Sequence, residues 1–206
     1  MKLALFDFDG TITRKDSFAE FLRFSFGDIQ TAKKVIYYAH HFLAFYLKLI
    51  DNSMLKEKTV KEFFKNMPES IAEQLAKDFA QAPLNSLVKP EMLNILCDYK
   101  ANGYRVILVS ASPELYLKHW TKEHEIELLA TKLETKNGYL TGNFASPNCF
   151  GPEKVRRLSE ILNFSDFSEI HVYGDSRGDR EMLAMATRPC LLPSKTSIAE
   201  NIFIKA

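Results

Sequence analysis

The sequence has almost no excess charge. Lysine and arginine number 27 against 26 aspartates and glutamates, a formal net charge of +1. No basic run stands out, so nucleic acid is not an expected partner. Cysteine is scarce as well. Cys97, Cys149 and Cys190 are odd in number and widely spaced. They form no CxxC and no zinc spacing, which excludes a disulfide framework and points to reduced thiols in a cytoplasmic protein. No secretory leader is expected, because an apolar strand-like run begins at residue 3. A long hydrophobic run is also missing. The nearest, Val35 to Ile50, contains His40, His41 and Lys48 and falls short of the roughly 20 residues of a membrane span. A buried or half-buried helix is expected there. No stable membrane insertion follows from it, while interfacial contact stays open.

What is present begins at once. Leu3 to Phe6 is an apolar run ending in Asp7-Phe8-Asp9-Gly10-Thr11. Such a run, closed by a turn signal, reads as a buried strand. Ligands of open α/β sheets sit at the carboxyl ends of these strands. Alternation in an extended chain puts Asp7 and Asp9 on one side and Phe8 on the other. Two close carboxylates repel unless a cation or proton separates them, and hard oxygen ligands suit magnesium. Alone, the same residues are equally a solvated Asp-x-Asp-Gly turn.

After Thr11 the pattern is helical for about 75 residues. Phe18, Phe21, Leu22 and Ser25 share a face that stops at Gly27. Asp28 can cap a long helix to about Ile50, with an apolar stripe at 32, 35, 36, 39, 42, 43, 46, 47 and 50. A third helix runs from about Met54 to Met67-Pro68. Ser70 and Glu73 fit a capping box for a fourth, which Pro83 stops. Four such helices can form a small bundle, and a bundle inserted beside a site can act as a lid. The α/β pattern resumes at Pro90 with a helix to about Asn102. Arg105 to Val109 reads as a strand ending in Ser110-Ala111-Ser112-Pro113, where a helix starts. A helix N-terminus there favours an anion, although both serines can simply cap it. Glu127 to Glu134 is a candidate strand, and Asn137-Gly138 a hairpin turn. Lys154 falls in the first turn of a helix opened by Pro152, against the helix dipole. Glu169 to Tyr173 is the next strand. It ends in Gly174-Asp175-Ser-Arg-Gly-Asp179, followed by a helix from Arg180 to Ala186 and a short strand at Cys190 to Leu192.

Three strand ends thus carry Asp7 with Asp9, Ser110, and Asp175 with Asp179, with Lys154 opening a helix between the last two. If the strands are neighbours, the carboxylates can hold a metal while the hydroxyl, lysine and backbone N–H groups hold a phosphate. That is the equipment of phosphoryl transfer.

In this order the four segments resemble the motifs of the haloacid dehalogenase-like hydrolase superfamily, over the whole chain. The resemblance implies a Rossmann-like parallel sheet flanked by helices, formed by residues 1–12 and 89–206, and an all-helical cap over 13–88. It implies that Asp7 is the nucleophile, forming an aspartyl-phosphate, and that Asp9 is the general acid and then base. Asp7, Asp175 and Asp179, with the Asp9 backbone carbonyl, would serve Mg2+. Ser110, Lys154 and the backbone at Phe8 and Ala111 would hold the phosphoryl group, and Thr11, Gly10 and Gly174 would order the turns. The second aspartate favours phosphoryl transfer over dehalogenation.

The cap position is similar to subfamily IB, the branch of phosphoserine phosphatase. That branch carries a glutamate after the first motif and an arginine in the cap. Here Asp16, and Lys56 or Lys58, stand near those places, and lysine lacks the bidentate fork of arginine. The Asp16-Ser-Phe18 run and the aromatic second helix look more like relatives that include phosphatidylglycerophosphatase C. The expected function is a Mg2+-dependent phosphomonoester hydrolase acting on a small organic phosphate. Lipid-phosphate hydrolysis, phosphotransfer to another acceptor as in a mutase, and a non-catalytic phosphate-binding module are the alternatives. The aromatic helix is expected to be core of the cap, with a tail-binding surface as the other reading.

Overall fold

In the computed structural model, residues 1–37, 39–47 and 49–191 are described. Tyr38, Lys48 and residues 192–206, and the side chains of Phe42 and Leu191, lie outside the described residues. The strands are β1 (Lys2–Phe6), β2 (Arg105–Pro113), β3 (Glu127–Thr131), β4 (Leu133–Lys136), β5 (Tyr139–Phe144), β6 (Glu169–Gly174) and β7 (Arg188–Leu191). Five of them form one sheet in the order β3-β2-β1-β6-β7, with every described pair parallel. Both faces of such a sheet must be covered, which is why its strands read as unbroken apolar runs. Successive residues of β1 alternate between two clusters. Ala4 and Phe6 join one with Val106 and Leu108, while Leu3 and Leu5 join the other with Ile107 and Val172. The parallel α/β sheet flanked by helices expected from the sequence is therefore the one observed.

Six helices fall between β1 and the helix that leads into β2: α1 (Ser17–Phe26), α2 (Asp28–Tyr37), α3 (Ala39–Tyr46), α4 (Asn52–Phe64), α5 (Glu69–Gln81) and α6 (Pro83–Leu87). The later helices are α7 (Pro90–Ala101), α8 (Glu114–Glu123), α9 (Pro152–Ile161) and α10 (Arg180–Leu183). The two passages between helical segment and sheet run side by side. Arg14 N–H donates to the Leu87 carbonyl at 2.9 Å, and Lys89 N–H to the Ile12 carbonyl at 2.8 Å.

Several boundaries differ from the sequence expectation. In place of one helix from Asp28 to Ile50 there are α2, ending at Tyr37, and α3, ending at Tyr46, and most described residues of the expected stripe do not pack. Ile36, Leu43, Tyr46 and Leu47 are all exposed. The helical segment instead makes its core from α1, α4 and α5 together with α8. Phe21 stacks on Phe64 with ring centroids 5.9 Å apart and meets Tyr116 of α8 at 4.9 Å. That core is continuous with one face of the sheet, so these helices are not a closed bundle. The Ser70–Glu73 capping box does not form. Tertiary pairing starts α5 earlier: Glu69 N–H donates to the Gly138 carbonyl at 2.9 Å, and Glu73 binds Lys118 and His119 instead. The Asn137-Gly138 turn has both residues at positive φ, as a two-residue hairpin of this type requires. The last helix is shorter than expected, with a 3₁₀ turn at Arg177–Asp179 ahead of it.

Candidate active site

Because β1 lies between β2 and β6, the three strand tips with polar groups are neighbours. The strand proper stops at Phe6, but Asp7 N–H still donates to the Tyr173 carbonyl at 2.9 Å. The chain then turns, and the Phe8 carbonyl accepts from Ile12 N–H at 2.8 Å and Thr13 N–H at 3.0 Å. Gly10 sits at φ +83°, and a Cβ there would lie 2.0 Å from Asp175 Oδ2. A side chain at position 10 would therefore displace the carboxylate from β6. Gly174 is equally constrained, since its Cβ would be 2.5 Å from the Cβ of Asp179.

Lys154 is the hub. It is fully buried, and its Nζ donates to Asp7 Oδ1 at 2.6 Å, Asp179 Oδ1 at 2.7 Å and the Val109 carbonyl at 2.9 Å. All three ammonium hydrogens are thus used. Burial would push the ammonium down, but the carboxylates of Asp7 and Asp179 more than offset it and hold its pKa above the ordinary value. The local conflict between a lysine and the start of α9 is resolved by these two anions.

Asp7, Asp175 and Asp179 can each offer an oxygen within 4.8 Å of the others. This all-oxygen set suits a hard divalent cation. Burial, opposed by Lys154 and reinforced by Asp179, pushes the Asp7 carboxyl up to about 8. Burial and then Asp179 push Asp175 up to about 6. Asp175 Oδ1 is buried with no hydrogen-bond partner among the described residues, whereas both oxygens of Asp179 are engaged. Asp179 Oδ2 accepts from Ser176 N–H at 3.0 Å and Ser176 Oγ at 2.8 Å. A crowded set with an unpartnered oxygen fits a divalent cation, with Asp175 the better exposed donor and Asp179 the better anchored one.

This crowding has a measurable consequence. A carboxyl raised from its ordinary value to about 6 takes up its proton more readily when folded. Its contribution to stability is present below about pH 4 and is lost as pH rises through 6. Asp175→Asn should therefore stabilise the metal-free protein at pH 7.5 by on the order of 1 kcal/mol, allowing for partial solvent screening. If the cluster holds Mg2+, the variant should also lose the stabilisation that the added ion gives the wild type. Urea denaturation with Mg2+ or with chelator measures both. A destabilised metal-free variant would show that crowding is not the dominant effect.

Asp9 diverges from Asp7. Alternation does not extend past the end of β1, and the Asp9 carboxylate turns toward α1 and β2. It accepts from Ser17 N–H at 2.6 Å and from the Ser112 hydroxyl. Burial first and Asp16 second raise its pKa, while the bonds from Ser112 and Ser17 pull it down. Ser17 Oγ in turn pairs with Tyr116 Oη at 2.8 Å. Ser17, Ser112 and Tyr116 were not legible as site residues. Ser112 looked like a helix cap, but β2 continues through it to Pro113 by pairing with Thr131 of β3. Lys89 was also missed; its ammonium binds the Gly10 carbonyl, and only the pairing of the two connecting passages brings it there.

The other expected residues divide. Ser110 is buried at the tip of β2, its Oγ accepting from Ser112 N–H at 3.0 Å. The Phe8 ring packs edge-on against Trp120, 5.2 Å between centroids, so only its backbone belongs to the turn. Thr11 Oγ1 is buried without a hydrogen bond among the described residues. Lys56 reaches from α4 to the Ala111 carbonyl at 3.0 Å and lies over the Phe18 ring. Burial lowers its pKa, and Asp9, Asp16 and Asp7 pull it back up. Lys58 does not join it. Two residues along a helix face away, and Lys58 is exposed beside Lys34, Val35 and His41. Asp16 is exposed and caps α1, accepting from Ala19 N–H at 2.8 Å.

The family model described as haloacid dehalogenase-like hydrolase matches residues 4–184. The chain is 34% identical over 192 residues to Protein CicA of Caulobacter vibrioides, covering 89% of this chain and 82% of that protein. Its fold is similar to that of a protein of unknown function from Bordetella pertussis Tohama I. The TM-score is 0.83 at 22% identity, covering 94% of this chain and 91% of the other. It is also similar to a phosphoserine phosphatase solved as a phospho-aspartyl intermediate analogue. There the TM-score is 0.63 at 22% identity, covering 90% and 83% of the two chains.

Proposed function

The chain belongs to the haloacid dehalogenase-like hydrolases, and from that premise we propose that it is a Mg2+-dependent phosphomonoester hydrolase working through Asp7. The observation that carries this reading is the division of labour between two aspartates two residues apart. Asp7 is bound by an ammonium and faces Asp175 and Asp179. Burial raises both carboxyls, but Asp7 has the Lys154 ammonium to favour its ionised form, whereas Asp9 is turned away from that cluster and bonded to the neutral donors of Ser17 and Ser112. One is placed to be an anionic nucleophile, the other an acid.

Asp7, Asp175 and Asp179 would hold the metal, which supplies charge neutralisation so that a carboxylate can approach an anionic phosphoryl group. Asp7 attacks phosphorus and the ester P–O bond breaks. Asp9 gives its proton to the departing oxygen. Water then attacks the aspartyl-phosphate, Asp9 takes a proton from it, and the bond to Asp7 breaks to release phosphate. The Ser110 hydroxyl and the N–H groups around Phe8 and Ala111 would orient the phosphoryl oxygens, while Lys154, its three hydrogens shared by Asp7, Asp179 and the Val109 carbonyl, contributes its positive charge. Lys56 offers the part of the substrate beyond the phosphate a cation, which suits a leaving group with an anionic or hydroxyl-rich portion.

Asp9→Asn tests the assignment through leaving-group dependence. Hydrolysis of an alkyl phosphate should fall by about 10²–10⁴-fold, the usual contribution of general acid catalysis. Hydrolysis of p-nitrophenyl phosphate should fall much less, because its leaving oxygen needs little protonation. Equal losses on both substrates, measured as kcat with Mg2+ present, would remove Asp9 as the acid.

A further inference from the structure

Large apolar residues are not spread over this surface. Of the fifteen that are exposed among the described residues, ten lie between Ile29 and Met54. Ile29, Ile36, Tyr46 and Leu49 are each more than 70% exposed, and Leu43 and Leu47 more than half. Among the described side chains, Thr31 is the one buried residue of α2, and α3 has none. α3 is apolar but for His40 and His41, a kind of helix ordinarily found buried or in lipid, and exposed apolar residues gathered in one segment mark an interaction site.

Charge selects the occupant. Residues 29–50 contain no aspartate or glutamate, but carry Lys33, Lys34 and Lys48. Across 28–66 there are seven lysines against four acidic residues and no arginine. A second copy docked by this face would bring the lysines of 29–50 to lysines, with only Asp28 and Asp51, at the two ends of the segment, to answer them. The stretch 192–206 carries Lys195 and Lys205 against Glu200, so it offers no complementary charge either. An anionic bilayer satisfies both properties: aliphatic side chains enter the acyl boundary, the exposed Lys33 meets the headgroups, and tyrosines such as Tyr46 suit the interface between. No helix among the described residues is long and apolar enough to cross a membrane, which leaves docking rather than spanning.

We propose that α2, α3 and the residues up to Met54 form a peripheral docking surface for anionic lipid bilayers. This goes beyond the hydrolase reading and does not depend on it, since vesicle binding needs no turnover. The same segment leads into α4, which carries Lys56 to the site, so docking would set the site beside the headgroup layer.

The test is flotation of the full chain with vesicles of phosphatidylglycerol and phosphatidylcholine, or of phosphatidylcholine alone, at low and high salt. The expected result is at least tenfold more bound protein with the anionic vesicles, weakened by salt. The double variant Ile36→Glu/Leu47→Glu should lose at least tenfold of that binding while its thermal unfolding stays within a few degrees of wild type. Equal binding to both vesicle types, no binding to either, or full binding by the variant would overturn the proposal. So would a wild-type dimer that the double variant converts to monomer in sedimentation, which would assign the face to a second copy. If the double variant unfolds early, Lys33→Glu, on an exposed and unburied position, must show the same loss on anionic vesicles for the proposal to stand.

Discussion

Asp7→Asn should lose at least about a thousandfold in turnover while keeping its fold. The amide has the shape of the carboxylate but no anionic oxygen, so it cannot form the acyl-phosphate bond. The fold should tolerate the change, because Asp7 is buried and its ionised form is disfavoured there by burial and by Asp179. The loss should appear in kcat, measured by phosphate release, and binding of beryllium fluoride with Mg2+ should disappear with it. A variant that retains turnover would remove Asp7 as nucleophile and leave the cluster as a metal site only.

Lys154→Met should produce the largest loss of stability of any single substitution in the site. The ammonium is shared by two buried carboxylates at 2.6 and 2.7 Å. Removing one member of a buried ion pair costs about 3–5 kcal/mol, because the partner charge is left without compensation. Methionine keeps most of the volume, so the effect reads charge rather than a cavity. Adding Asp179→Asn to Lys154→Met should recover part of the loss, since one uncompensated carboxylate is then neutral. Urea denaturation of both single variants and the double variant in chelator gives the coupling. Strict additivity would mean that the two residues do not share their charge.

These two variants separate what was legible in the chain from what was not. Asp7, Ser110, Lys154 and Asp175 stood out because each follows or opens a segment whose apolar pattern marks it plainly, and a strand tip is where an α/β sheet does chemistry. The pairing of Lys154 with Asp179 across 25 residues was not written in either segment. Nor was the separation of Asp9 from Asp7, which depends on where β1 ends and on donors from Ser17 and Ser112. Ser112 was misread because a Ser-Pro pair has the same local signature whether it caps a helix or extends a strand, and pairing with Thr131 decides between them. Of the two cap lysines, Lys56 and Lys58, only the rotation of α4 on β5 could choose which one reaches the Ala111 carbonyl.

By itself the sequence determined the alternation of buried strands and helices, the order of the acidic strand tips, and the helical segment after the first of them. These are set by local pattern, apolar runs and turn residues, which act over a few neighbours. The tertiary structure alone decided which apolar faces are buried. The helical segment has more apolar surface than its neighbours can cover. α1, α4 and α5 take the available partners on α8 and the β4–β5 hairpin, and the apolar residues of α2 and α3 are left facing outward. A hydrophobic stripe states that a surface would gain from burial, but only the positions of all the other elements determine whether anything within the same chain is there to bury it.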